Sequence, residues 1–232
     1  VSHEGKEANA VEETIKAARG LGIVSQTDDV VQLDADVPVA PVAYSDWVHA
    51  QFLEVEEDHA GYTILEYFAW ITARSAQEGG THWMGASRHT ADKANFDLEA
   101  TASSTKPQTT NVKALDNWLT ACGLGWTYQR KSTSGGSSAR AFLPDPTDRM
   151  VRVLQASKGA FAERRMWEAS AFVEELASWM PYLDGGRIFR DVHSELKHEE
   201  SKTLSPVLSK GLTQLHEDEY VELNRTPDAS GM

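Results

Sequence analysis

Apolar positions along this chain switch rhythm, from a helical period to a two-residue alternation, and the switch falls at glycine. Val11, Ile15 and Ala18 lie at i, i+4 and i+7, one face of a helix over 11–19. Glu12 and Glu13 sit in its first turn and Lys16 and Arg19 later, the order the helix dipole favours. Gly20 and Gly22 can supply the positive φ that ends a helix. "GIVSQ" and "VVQLD" then read as two short strands, with "TDD" as the turn between them.

The same reading continues downstream. "PVAPVAYSD", 38–46, breaks regular structure at its two prolines, and a helix is expected over 46–58 with Asp46 as N-cap. Residues 61–76 form the most apolar helix, with Ile64, Phe68 and Ile71 on one face and Thr63 and Glu66 spaced as a capping box. The Ala/Ser/Thr-rich stretch 85–110 is expected to be a partly ordered connection. Val112, Leu115, Leu119 and Cys122 make the stripe of a helix over 111–122, which "GLGW" ends as "GLGI" ended the first. "WTYQRK" and "ARAFLPDP" read as strands around the flexible tip "STSGGSS". Residues 147–179 are expected to be mostly helical, with the clearest part starting at 166. From 182 a turn leads into a helix or short strand, and 204–224 reads as a helix, a turn at "HEDE" and the strand "YVELN".

Three stretches therefore superimpose: 11–36, 111–146 and 204–228. Each has a helix of about three turns, an abrupt end, and hydrophobic residues around a polar tip, and such self-similarity outweighs any single propensity. The expected fold class is mainly α with small β-hairpins.

Composition narrows the function. Of 232 residues, 41% are hydrophobic and 25% charged, as in a soluble globular protein. The absence of a long apolar run argues against a transmembrane helix or a membrane role. The opening "VSHEGKEANA" lacks both an apolar signal core and an initiator Met, which leaves room for residues upstream. One cysteine, Cys122, cannot make an internal disulfide, which fits a reducing cytoplasm, and its apolar context marks it as a packing residue. The net charge of −13 argues against a general nucleic-acid coat. The charge is uneven: −10 over 1–60, −2 over 61–100, +6 over 101–165 and −7 over 166–232.

The repeated helix and hairpin resemble the last helix and wing of the winged-helix fold, a helix-turn-helix variant. The resemblance implies tandem units: a partial unit over 1–40, holding only the third helix and wing, a second unit over 41–145, and a helical segment with a third unit over 146–232. In DNA-binding winged helices the third helix enters the major groove and the wing reaches phosphate or the minor groove. The first wing tip, Asp28-Asp29, and the third, "HEDE", would be repelled by phosphate. Only the middle unit is suited to it: Lys113 and Asn117 on the helix, Arg130 and Lys131 before the tip, Arg140 after it. A second reading of these residues stays open, in which they are solvated or pair with the acidic flanking units.

Other chemistry finds little support. His193 and His198 stand five apart in "HSELKH", well off one helical face, and are no HExxH pair. His82 and His89 have no cysteine near them. "GLGW" and "LDGGR" lack the phosphate-loop pattern, and no serine sits in GxSxG. Glu56-Glu57 and Glu174-Glu175 are adjacent, so they diverge and make poor acid/base pairs. No catalytic residue, metal site or cofactor is expected. The seven tryptophans read first as core, with Trp83 and Trp126, beside predicted loops, the two to watch as partner anchors.

The chain thus resembles two groups of tandem winged-helix proteins without an active site. One is the accessory proteins of phage-defence and DNA-modification gene clusters, such as DpdG-like proteins. The other is the kleisin-binding subunits of SMC complexes. The motifs do not choose between them. Either resemblance implies a non-catalytic accessory subunit in the cytoplasm, docking on larger protein subunits and touching double-stranded DNA, if at all, through the basic middle. The alternative is a stand-alone winged-helix transcriptional regulator, dimeric, with half-sites one helical turn apart. An enzyme on an unrecognised fold is the third reading.

Overall fold

The computed structural model describes residues 15, 18–19, 22–28, 30–34, 37–57, 61–78, 112–130, 139–157, 159, 161, 166–195 and 203–224. Among the described residues the protein is mainly helical, with seven helices and two small antiparallel hairpins. In chain order they are β1 (Val24–Thr27), β2 (Val30–Leu33), α1 (Pro41–Glu54), α2 (Tyr62–Glu78), α3 (Val112–Ala121), β3 (Gly125–Arg130), β4 (Ala139–Pro144), α4 (Thr147–Ala156), α5 (Ala169–Trp179), α6 (Arg187–Glu195) and α7 (Pro206–Glu217).

The core is built around α2. Every residue from 61 to 73 is buried, because this helix is covered by α1, α3, α6 and α7. One hydrophobic cluster runs from Val48 through Phe68 and Trp70 to Leu215. Aromatic rings key its layers: Phe52 meets Trp118 edge-on at 5.7 Å, and Phe68 meets Tyr182 edge-on at 5.4 Å. Polar links pin its margins. Asp184 accepts from the Ser205 amide and hydroxyl at 2.6 and 2.7 Å, and Ser205 in turn caps α7 by accepting from the Leu208 amide at 3.1 Å.

The repeat is visible at the level of hydrogen bonds. Three helix ends carry the same paired cap, in which one amide reaches back five residues and the amide before it reaches back three. The bonds are Ile23 to Ala18 (2.8 Å) with Gly22 to Arg19 (3.0 Å), Leu124 to Leu119 (2.9 Å) with Gly123 to Thr120 (3.1 Å), and Tyr220 to Leu215 (2.9 Å) with Glu219 to His216 (3.1 Å). The residue that turns the chain has φ of 66° at Gly22, 71° at Gly123 and 63° at Glu219. The first two copies go on alike. A hairpin follows at once, and the residue after it closes back on the residue before it: Asp34 donates to the Ile23 carbonyl (3.0 Å), and Asp145 to that of Leu124 (2.9 Å).

The third copy departs, and the strand expected at "YVELN" is absent: residues 220–224 are irregular. The backbone there is tied to the helix end instead of to a ladder. Val221 donates to the Leu215 carbonyl (3.3 Å), and Leu223 donates to His216 Nδ1 (3.4 Å). An isolated strand with no partner has no stabilising ladder.

Three boundaries also differ from expectation. α1 begins at Pro41, where the ring fixes a helical φ and the missing N–H costs nothing at the first turn. Asp46 therefore lies inside the helix and is not its N-cap. α2 begins at Tyr62, so Thr63 is within the helix and is not its N-cap. The expected helix from 166 starts at Ala169. Of the two alternatives open after the turn from 182, the helix forms, over Arg187–Glu195.

Candidate nucleic-acid interface

The hairpin that follows α3 has one committed face and one open face. Pairing runs Gly125↔Pro144, Trp126↔Leu143, Thr127↔Phe142, Tyr128↔Ala141, Gln129↔Arg140 and Arg130↔Ala139. Residues directly opposite share a face and neighbours alternate. Phe142 is buried in the core, so the face it shares with Thr127 is turned inward. Trp126 and Tyr128, on the other face, are 54% and 49% exposed. Gly125 makes the tight junction possible: a Cβ there would lie 2.3 Å from the Leu143 carbonyl and 2.6 Å from the Phe142 ring.

The sequence-predicted contact residues distribute unevenly over this frame. Asn117 is exposed on α3, beside exposed Ala114 and Thr120. Lys113 lies in the first turn of α3, one helical turn before Asn117. Arg130 ends β3 and Arg140 lies near the start of β4, so the structure brings the two to the distal part of one ribbon. Register places positions 130 and 140 on opposite faces, with 130 in the row of Trp126 and Tyr128. Lys131, the "STSGGSS" tip, Trp83, His82, His89 and His198 lie outside the described residues, as do the side chains of Lys113, Arg130, Arg140 and His193.

Part of the basic charge counted in the sequence is spent inward. Arg149, 3% exposed, donates from Nε to the Cys122 carbonyl (2.8 Å) and from Nη1 to Asp46 (2.6 Å), and its Nη2 reaches the Ser45 carbonyl and hydroxyl (3.2 and 3.0 Å). Arg152 joins Asp46 at 3.1 Å and the Ser45 hydroxyl at 2.9 Å. The Ser45 hydroxyl also donates to the Ala121 carbonyl. The cations thus sit at the C-terminal end of α3, where the helix dipole favours positive charge. They bolt α1, α3 and α4 together beneath the hairpin. Sequence spacing could not have found this link, since Asp46 and Arg149 are 103 residues apart.

Two titratable groups nearby are held neutral. Burial, with Arg149 and Arg152 close by, lowers His49 from 6.5 to about 3, and its Nε2 lies 2.7 Å from the Tyr182 hydroxyl. Burial raises the Cys122 thiol to about 12, in keeping with a packing role. Outside this bolt, an open groove of about 690 Å³ runs from Trp126 past Arg152 and Lys210 and carries the carboxylates Asp145, Asp148 and Asp218. Lys210 is joined to Asp145 at 3.1 Å. Among the described residues no group of three His, Cys, Asp or Glu could hold a metal ion, and no helix is long and apolar enough to cross a membrane.

Fold and site together define a mainly helical protein that projects β-hairpins of unlike charge from repeated helix ends. The chain belongs to the DpdG-like family, whose model matches residues 1–229. That membership associates it with phage-defence and DNA-modification systems as an accessory protein. No curated protein and no solved structure matches the chain.

Proposed function

We propose that the protein is a non-catalytic accessory subunit of a DNA-associated antiviral complex in the prokaryotic cytoplasm, built from tandem winged-helix units. Its acidic units dock on larger protein subunits, and its middle unit contacts double-stranded DNA through Lys113, Asn117, Arg130, Lys131 and Arg140. The observation that carries this reading is the repeated cap and hairpin closure at 18–34 and 119–145. The element order α1, α2, α3, β3, β4 suits a three-helix unit with a wing. Family membership favours an accessory role over an isolated regulator.

Two measurements test it. Pull-down from the native host should recover a larger protein with the chain. In that assembly, changing Arg130, Lys131 and Arg140 together to Ala should weaken duplex binding and cut the slope of log K against log salt by up to about 3. Tight, salt-steep duplex binding by the purified chain alone, with no co-purifying protein, favours the stand-alone regulator. An unchanged slope in a DNA-competent assembly assigns those cations to structure or partner docking.

A further inference from the structure

We propose that the open face of the second hairpin, the row Trp126, Tyr128 and Arg130, is a stacking platform for the unpaired bases of single-stranded DNA. This deepens the preceding reading and rests on its assignment of nucleic-acid contact to the middle unit.

The hairpin's folding needs do not explain the row. Phe142 on the inner face already anchors the ribbon in the core. The outer face faces solvent, where polar residues would serve an antiparallel ribbon equally well. Scattered exposed apolar residues are ordinary, but here two large exposed rings occupy successive positions of one strand face, and position 130 follows in the same row. The register partners are Leu143, Ala141 and Ala139, none of them a ring, and among the described residues neither Trp126 nor Tyr128 has an aromatic partner. Alternate residues on a strand are about 7 Å apart, which leaves each ring room for one base.

Charge selects the occupant. Arg130 ends β3 and Arg140 lies near the start of β4, at the distal end of the described ribbon, and Lys131 follows Arg130 in the sequence. At its base, Asp145, Asp148 and Asp218 line the groove beside Trp126. Phosphates are attracted towards the tip and repelled from the groove, so the strand lies from Trp126 outward over a short footprint of about two stacked bases. An acidic peptide would match the cations but leave two flat rings unused. A duplex keeps its bases stacked within the helix and offers the rings no π face. Base stacking on aromatic side chains, backed by cations along the backbone, is the mode that uses all three positions.

The test uses the full chain at tens of micromolar with a fluorescent dT12 oligonucleotide and a mixed-sequence 12-bp duplex, read by anisotropy at low salt. Binding of dT12 is expected to be tighter than binding of the duplex. Trp126→Ala and Tyr128→Ala should each weaken dT12 binding about tenfold, while Trp126→Phe and Tyr128→Phe keep most of it. The Phe variants separate loss of stacking from loss of folding. Photocrosslinking of 4-thiothymidine-substituted dT12 should label residues 126–130. Crosslinks confined to other segments, or dT12 binding that survives removal of both rings, overturn the proposal. dT12 binding that survives removal of both rings, with duplex binding that fails in the Arg130, Lys131 and Arg140 triple variant, overturns it while leaving duplex contact by the middle unit standing. If neither nucleic acid binds the wild-type chain or its native assembly, both readings fall.

Discussion

The two hairpins begin and close with the same hydrogen bonds, yet they sit in opposite surroundings. In the first, every described strand residue but Val24 is exposed, including Val30, Val31 and Leu33. Register puts Val24, Val31 and Leu33 on one face with Gln26, and Val31 and Leu33 are exposed there among the described residues. In the second, the matching face carries Phe142 into the core, and the base is bolted by Arg149, Arg152 and Asp46. A helix cap and a two-residue alternation are thus enough to specify the hairpin's shape, since both copies make it. They do not decide how firmly it is held, because a two-stranded ribbon alone is at best marginally stable in water. What holds the second copy is the helical base beneath it.

The largest expected difference follows from that. Phe142→Ala removes a buried ring from the core and should cost about 3–5 kcal/mol in urea unfolding. Val31→Ala, at a half-exposed position of the first hairpin, should cost under about 1 kcal/mol. Equal costs would place the first hairpin against the core as firmly as the second.

Acid should act on the base beneath the second hairpin. The buried His49 imidazole is held near 3 against 6.5 in the unfolded chain, facing Tyr182 from the opposite side of the core and Arg149 and Arg152 from α4. A depressed base binds fewer protons folded than unfolded. Its contribution is therefore complete above 6.5 and is lost as pH falls from about 6.5 towards about 3. The slope in that window is at most about 1.4 kcal/mol per pH unit. His49→Gln, which retains a hydrogen-bonding partner for Tyr182, should flatten the dependence of the urea midpoint on pH between 6 and 4. An equally steep profile in the variant would assign the acid sensitivity to other groups.

Local chemistry in the sequence foretold the parts of this molecule that are locally determined. Gly22 and Gly123 mark helix ends because only positive φ satisfies the cap, and the alternation in "WTYQR" and "ARAFL" marks strands. Trp126, read first as core like the other tryptophans and marked only as one of two to watch beside a predicted loop, is exposed. The base was not legible. Asp46 looked like an N-cap because its partners Arg149 and Arg152 lie more than 100 residues away, and only folding brings them together. "YVELN" has strand composition, but a ladder is a property of two segments, and the chain supplies no partner for it among the described residues. Of the five residues proposed for DNA, the sequence could cluster Arg130 and Arg140 on one hairpin, but it could not assign them to opposite faces without the register.

The smallest effects give the sharpest comparison, because the three caps allow the same strain to be applied in three settings. A Cβ at Gly22 meets nothing within 4 Å, and at Gly123 its nearest neighbour is Asp148 Cβ at an ordinary 3.8 Å. Gly→Ala at either site therefore adds only the cost of a left-handed conformation, about 1–2 kcal/mol. The third cap already bears that cost, since Glu219 holds φ at 63°. Glu219→Gly should relieve it and raise stability by about 0.5–1 kcal/mol, a gain reduced by the extra freedom of glycine in the unfolded chain. Gly123→Ala should lower the global unfolding free energy by the full local cost, because its cap feeds the bolted hairpin. Gly22→Ala should leave it nearly unchanged if the first hairpin opens independently of the core, since strain in a separately opening segment does not register in the main transition. The same urea titration, followed by far-UV circular dichroism, reads all three variants. A Gly22→Ala loss as large as that of Gly123→Ala would join both hairpins into one cooperative unit. The exposed Val31 and Leu33 of the first would then have to be covered in solution by something the described residues do not include.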